Sequence, residues 1–257
     1  MGSTTSHRRR PLLALFPVLL AALALALLPA PAAQARGPLV PPAQPRTGLG
    51  AAGPCGVAAQ THVNPADPAQ KITIYNPTGR AAAPFTGGHC DDARRPVAVV
   101  VHGLLAGIDG QLLGPSVLYA DLIRHLTSTG NVVVFATWPT NPYDFGGSFV
   151  QADRAVAAAQ RFAPRGDFSR LGIVGHSMGG AATPHLAQQA VARGWGEQAL
   201  WLFQLAPAFA ANVGTGPLTV PPHTRVVVQN YSDDVILDTR IGIEQFEAYS
   251  LPATHKQ

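Results

Sequence analysis

Residue patterns that hold metals, phosphates or dinucleotides are missing from this sequence. It has no H-E-x-x-H run and no C-x-x-C pair, which are common zinc-ligand spacings. A phosphate-binding loop is also lacking, and no glycine-rich turn between a predicted strand and helix carries a dinucleotide fingerprint. We therefore expect no metal and no cofactor.

Charged side chains are scarce, at 12% of the chain. The net charge is +4, from 18 basic and 14 acidic residues. Residues 1–35 contain three arginines and no acids, so the remainder has 15 basic and 14 acidic residues, a net charge of +1. Since no further cluster of Lys or Arg occurs, the sequence does not favour a nucleic-acid partner.

Only one long apolar run occurs, Pro11–Leu28, and it follows Arg8, Arg9 and Arg10. Ala33-Gln34-Ala35 then fits a small-x-small cleavage site. This order predicts a signal peptide over 1–35, cleaved near Ala35, and export to the extracellular space or periplasm. A membrane anchor is the alternative. Residues 36–54 are rich in Pro, Gly and Ala, which predicts a flexible leader.

Cysteine is limited to Cys55 and Cys90, and both lie in the predicted exported part. An oxidising compartment favours a disulfide between them, and two free buried thiols are the alternative. The bond would close a loop of about 36 residues and stabilise the fold by about 3–4 kcal/mol. The remaining length predicts one domain, 55–257, and we expect a monomer.

Short apolar runs alternate with amphipathic segments along the predicted domain. This alternation predicts βαβ units and a mostly parallel sheet with helices on both faces. The predicted strands are 71–77, 96–103, 131–139, 170–177, 198–209 and 224–234. The predicted helices are 118–126, 149–163, 178–194 and 241–251.

A serine stands between glycines where a predicted strand turns into a predicted helix, in Gly175-His176-Ser177-Met178-Gly179. A G-x-S-x-G run in this context predicts a nucleophile elbow, with the Met178 N–H as an oxyanion donor. Val101-His102-Gly103-Leu104 ends an upstream strand, and the Leu104 N–H is the second candidate donor. Two ordinary glycine turns are the alternative.

These two motifs and the order of the elements resemble the α/β-hydrolase superfamily. Within it the chain is similar to secreted bacterial lipases, cutinase-like polyester hydrolases and chlorophyllase-like esterases, over about residues 71–251. The resemblance implies attack of Ser177 on an ester carbonyl, an acyl-enzyme and hydrolysis by water. It also implies that His102, Gly103 and His176 shape or line the site, and Trp138 is a further candidate lining residue.

The family order of catalytic groups is serine, acid, histidine. Asp234 fits the family pattern for the acid better than the adjacent Asp233, and a solvated acidic turn is the alternative. Only His255 follows Asp234, without an intervening predicted strand. Either His255 is the base from an unusual position, or the base is absent and the sheet lacks its last strand.

The sequence therefore predicts a secreted serine hydrolase that cleaves carboxylic esters, acting on a small-molecule, lipid or polyester substrate. A catalytically defective exported protein of the same fold is the alternative from another class. An acyltransferase that uses the same serine is a further alternative.

Overall fold

A seven-stranded, mostly parallel sheet forms the centre of the structure, a computed structural model that describes residues 52–79, 90–91, 94–104, 118–208 and 218–257. The strands are β1 (Gly56–Asn64), β2 (Asp67–Thr78), β3 (Arg95–Val101), β4 (Val132–Ala136), β5 (Gly166–His176), β6 (Ala199–Leu205) and β7 (Arg225–Gln229). Their order in the sheet is β1-β2-β4-β3-β5-β6-β7. β2 runs antiparallel to both of its neighbours, and the other pairs are parallel. The predicted signal peptide and most of the predicted leader lie outside the described residues.

Helices cover both faces of the sheet because the central strands are apolar on both sides. The helices are α1 (Ala120–Ser128), α2 (Phe145–Ala159), α3 (Met178–Ala192) and α4 (Thr239–Ala248). In β3, Val97 and Val99 pack into the core with α2 and α3, whereas Ala98 and Val100 pack with Ile123 of α1. This alternation is the period of two that a strand imposes on its side chains. The predicted fold class, a mostly parallel α/β-hydrolase sheet with helices on both faces, is confirmed.

Lys256 and Gln257 pair with the side of β7 opposite β6. Lys256 bridges Val226 in parallel orientation. The Gln257 N–H donates to the Val226 carbonyl at 3.0 Å, and the Val228 N–H donates to the Gln257 carbonyl at 2.9 Å. A 3₁₀ turn, Ala253–His255, directly precedes this pairing. This pairing fixes the position of His255 next to the sheet.

Cys55 and Cys90 form a disulfide, with 5.8 Å between their Cα atoms, so this predicted pairing is confirmed. Main-chain hydrogen bonds connect both cysteines to neighbouring segments. The Cys55 N–H donates to the Ser128 carbonyl at 3.0 Å, and the Cys90 N–H donates to the Gly79 carbonyl at 2.7 Å. The Cys90 carbonyl also accepts from the Arg165 guanidinium. The bond thus ties the start of β1 to the segment before β3.

No helix among the described residues is long and apolar enough to cross a membrane.

Replacing both cysteines, as Cys55→Ser with Cys90→Ser, should lower the free energy of unfolding by about 3 kcal/mol, because the unfolded chain regains the entropy of the open loop. Urea titration of the oxidised protein and the double variant measures this difference. A reducing agent should destabilise the parent protein by a similar amount and leave the double variant unchanged. Equal stability of the oxidised parent and the double variant would contradict the prediction.

Candidate active site

Ser177 forms the sharp turn between β5 and α3. Its backbone has φ 54° and ψ −120°, a conformation that residues with a side chain rarely adopt. Main-chain hydrogen bonds hold it there: the Ser177 N–H donates to the Leu205 carbonyl at 2.9 Å, and the Ser177 carbonyl accepts from the Ala181 and Ala208 N–H groups at 3.0 and 2.9 Å. The side chain is half-buried. The predicted elbow geometry is therefore present in this chain.

The flanking glycines allow three backbone segments to meet around the elbow. A Cβ on Gly175 would collide with the Gly179 carbonyl, and a Cβ on Gly179 would collide with the Val101 and His102 carbonyls. The spacing G-x-S-x-G thus has a steric cause here, since only glycine permits this approach between β3, β5 and α3.

The loop after β3 lies directly against Ser177. A Cβ on Gly103 would lie 3.1 Å from Ser177 Cβ and 3.2 Å from His176 Nδ1. These separations are tighter than ordinary side-chain contacts. The two motifs are therefore close in space, as predicted, although 73 positions separate Leu104 from Ser177 in the sequence.

His102 sets the direction of the Gly103–Leu104 peptide. Its Nε2 accepts from the main-chain N–H of Trp138 at 3.2 Å, so the ring proton is on Nδ1. Nδ1 lies 2.9 Å from the Gly103 carbonyl and donates to it. Burial lowers the pKa of His102 to about 4, which keeps the ring neutral. In a trans peptide the N–H points opposite to the carbonyl. The Leu104 N–H therefore points away from His102.

Both candidate oxyanion donors are main-chain N–H groups. Met178 is the first residue of α3, so its N–H has no partner within the helix. The Leu104 carbonyl accepts from Thr140 Oγ1 at 3.1 Å, which holds the far side of the Gly103–Leu104 loop. The position of Met178 and the direction of the Leu104 peptide are compatible with the predicted roles of these two groups.

His102 and Trp138 lie in the core, beneath the site. Their exposed fractions are 0% and 3%, and their rings stack 5.1 Å apart. The predicted role of lining the substrate cleft requires exposure that these two residues lack, because both pack behind the Gly103–Leu104 loop. His176, by contrast, remains exposed beside Ser177.

Asp234 lies in the turn after β7, at the same edge of the sheet as the elbow. Its Oδ1 accepts from the Ile236 and Leu237 N–H groups, both at 2.9 Å. These hydrogen bonds hold the pKa of Asp234 below its usual value, and the nearby His176 adds to the effect. Asp233 is exposed, and within the described ranges its carboxylate accepts one long 3.4 Å contact, from Ser232 Oγ. Asp234 is thus the more firmly held of the two carboxylates, and its role as the acid stays a prediction.

The structure does not bring His255 to the elbow. Lys256 pairs with Val226, which lies near the amino end of β7, whereas Ser177 follows the carboxyl end of β5. The strand registers place about five residues along the strands and three strand spacings across the sheet between them. At about 3.3 Å per residue and 4.8 Å per strand, the separation is about 20 Å, far beyond hydrogen-bonding distance.

Tyr119 is a site residue that sequence reasoning missed. The Gly103 N–H donates to its hydroxyl at 2.9 Å, and the hydroxyl lies 3.0 Å from His176 Nδ1. Tyr119 is only 8% exposed and directly precedes α1. Nothing in its sequence neighbourhood marks it, since an aromatic residue before a helix is a common packing feature.

No group of three His, Cys, Asp or Glu side chains within the described ranges is arranged to hold a metal ion.

Comparison with known proteins yields structural likeness only. No family model and no curated protein matches the chain. A protein described as a dienelactone hydrolase from Klebsiella pneumoniae subsp. pneumoniae MGH 78578 is 16% identical at a TM-score of 0.48, over 75% of this chain and 80% of that chain. A hyperthermophilic esterase from the archaeon Pyrobaculum calidifontis is 21% identical at 0.42, over 63% and 46%. A fungal esterase from Rhizomucor miehei is 22% identical at 0.44, over 61% and 46%.

This chain thus spans about half the length of the two esterases. At these identities and TM-scores the likenesses carry no activity over to this chain. The fold class follows from this chain's own strand order and elbow.

Gly103→Ala should slow the reaction of Ser177 with a fluorophosphonate probe by about tenfold, because the added methyl group displaces Ser177 or His176 by a few tenths of an ångström. The rate of covalent labelling measures this. Gly172→Ala is the matched control, since its Cβ would meet only the Val97 carbonyl at 3.9 Å. Equal labelling rates in the two folded variants would contradict the close packing described above.

His255→Gln should change the labelling rate of Ser177 by less than twofold, because about 20 Å separates the two residues. The same probe measures this rate across pH 5–9. A loss of more than tenfold, with the fold intact by circular dichroism, would instead support the assignment of His255 as the base.

Proposed function

We propose that this protein is a secreted serine hydrolase that cleaves carboxylic esters through an acyl-enzyme on Ser177. The observation that carries the proposal is the strained, non-glycine turn at Ser177, placed against the loop of Gly103 and Leu104. Strain of this kind costs about 1–3 kcal/mol and persists where the surrounding structure holds it in place. A serine held this way at the carboxyl edge of a parallel sheet favours nucleophilic chemistry.

Acyl transfer at this site forms a bond between Ser177 Oγ and the ester carbonyl carbon. The carbonyl oxygen gains negative charge, which the Leu104 and Met178 N–H groups stabilise in this proposal. When the tetrahedral intermediate collapses, the bond to the alcohol oxygen breaks and the alcohol leaves with a proton. Water then attacks the acyl-enzyme, releases the carboxylic acid and returns the proton to Ser177 Oγ.

Charge at the site favours a neutral ester over an anionic substrate. Asp234 stays ionised at neutral pH because backbone N–H groups stabilise its carboxylate. His176 is neutral at the same pH, because desolvation of its ring by the surrounding protein lowers its pKa more than Asp234 raises it. The edge beside Ser177 therefore carries a net negative charge, which an uncharged acyl or polyester chain tolerates.

Proton removal from Ser177 limits the rate in this arrangement. Both nitrogens of His102 are occupied, and Nδ1 of His176 already contacts the Tyr119 hydroxyl. Ser177 Oγ makes no hydrogen bond to a histidine among the described residues. A serine without its base typically loses several orders of magnitude in rate, while the oxyanion donors retain a part of the catalysis.

The export part of the proposal is supported by the disulfide, which persists in oxidising compartments. It agrees with the predicted signal peptide over 1–35.

A fluorophosphonate probe should modify folded protein at a single site, with one equivalent on Ser177, because the reagent mimics the tetrahedral intermediate. Mass spectrometry of the intact protein and its peptides measures this, with and without added imidazole, which should accelerate labelling by supplying a base. Ser177→Ala should abolish labelling, whereas the exposed serine control Ser232→Ala should not.

An absence of labelling in folded protein, even with imidazole, would overturn the catalytic proposal and leave a binding protein of the same fold.

A further inference from the structure

The Tyr119 hydroxyl joins two parts of the candidate site that the chain keeps far apart in sequence. It lies 2.9 Å from the Gly103 nitrogen, in the oxyanion loop, and 3.0 Å from Nδ1 of His176, the residue before the nucleophile. The rings of Tyr119 and His176 meet edge to face, 6.0 Å between centroids. Tyr119 therefore contacts both motifs that define the elbow.

The donors and acceptors at this contact favour one tautomer of His176. A phenol has one proton and two lone pairs, and the Gly103 N–H already donates to one lone pair. Burial raises the pKa of Tyr119, so the phenol keeps its proton at neutral pH. Among the described residues, the acceptor within reach of that proton is His176 Nδ1. If Nδ1 carried a proton instead, the buried phenol O–H would have no acceptor there, which is costly.

We propose that Tyr119 is a positioning residue that holds His176 as the neutral tautomer with its proton on Nε2. The exposed edge of the imidazole then presents an N–H donor beside Ser177. His176 is in this form a hydrogen-bond donor toward a substrate oxygen or the Asp234 carboxylate, and not the base for Ser177. This catalytic consequence rests on the proposed function, whereas the tautomer itself does not.

The same hydrogen bond has a second effect, on the oxyanion loop. The Gly103 N–H donates to Tyr119 and therefore cannot donate to the substrate. The next N–H along the loop, that of Leu104, remains available to the substrate. The opposite side of this loop is held by His102 through the Gly103 carbonyl. Tyr119 and His102 thus fix successive peptide groups of the loop from two sides.

Nitrogen NMR of the imidazole rings tests the proposal directly. In uniformly ¹⁵N-labelled protein at pH 8, long-range proton–nitrogen spectra distinguish a protonated from an unprotonated ring nitrogen, and loss of signals in His176→Gln assigns the residue. The proposal expects a protonated Nε2 and an unprotonated Nδ1. A protonated Nδ1 in the unaltered protein would overturn it, whether or not any variant folds.

Tyr119→Phe removes the hydroxyl and keeps the ring. We expect the His176 spectrum to move toward a mixture of tautomers, and the rate of fluorophosphonate labelling at Ser177 to fall about fivefold, the equivalent of one neutral hydrogen bond. Tyr143→Phe is the matched control, because this tyrosine is 85% exposed and its hydroxyl makes no hydrogen bond to His176. Its spectrum should match that of the parent protein.

An unchanged His176 tautomer in folded Tyr119→Phe would overturn the positioning role. If Ser177 proves inert to the probe while the tautomer and its dependence on Tyr119 are as expected, the proposed function fails and the role of Tyr119 stands.

Discussion

The close approach of three backbone segments around Ser177 is the constraint on which the candidate site depends. β3, β5 and the start of α3 meet with glycine at Gly175 and Gly179, where any side chain would strike a carbonyl of a neighbouring segment. This packing forces the intervening serine into a turn with positive φ, which its own side chain disfavours. Hydrogen bonds from the Ala181 and Ala208 N–H groups to the Ser177 carbonyl hold the turn in place. The position of the half-buried Ser177 side chain is therefore a consequence of the packing beneath it.

A buried polar network carries this constraint into the rest of the fold. Gln204, on β6, donates to the Gly180 carbonyl at 2.8 Å and to Gln245 Oε1 at 2.6 Å, and its own Oε1 accepts from the Tyr249 hydroxyl at 3.0 Å. Gln245 in turn donates to the Ala208 carbonyl at 3.1 Å. The network thus connects α4 and β6 to the first turn of α3. The buried amide of Gln204 favours one arrangement of the core, because leaving it without these partners would be costly.

Local sequence patterns predicted much of the fold but only part of the candidate site. The β-branched run of β3 and the glycine-serine spacing after β5 predicted a buried strand and an elbow, and both lie within a residue or two of the expected bounds. The expected strand over 71–77 is only part of β2, which pairs with an additional strand, β1. β1 begins next to the predicted leader and is mostly exposed, so it lacks the alternation that would have marked it.

Taken alone, the order of residues determined that a serine would stand at a tight turn beside a second glycine motif, and that two cysteines were available to pair. These properties depend on neighbours a few positions apart and on composition. The tertiary structure decided which groups meet that serine. Strand register puts His255 near the amino end of β7, and the packing of α1 brings Tyr119 to Gly103 and His176. Both outcomes depend on contacts between distant segments, and no local pattern encodes such contacts.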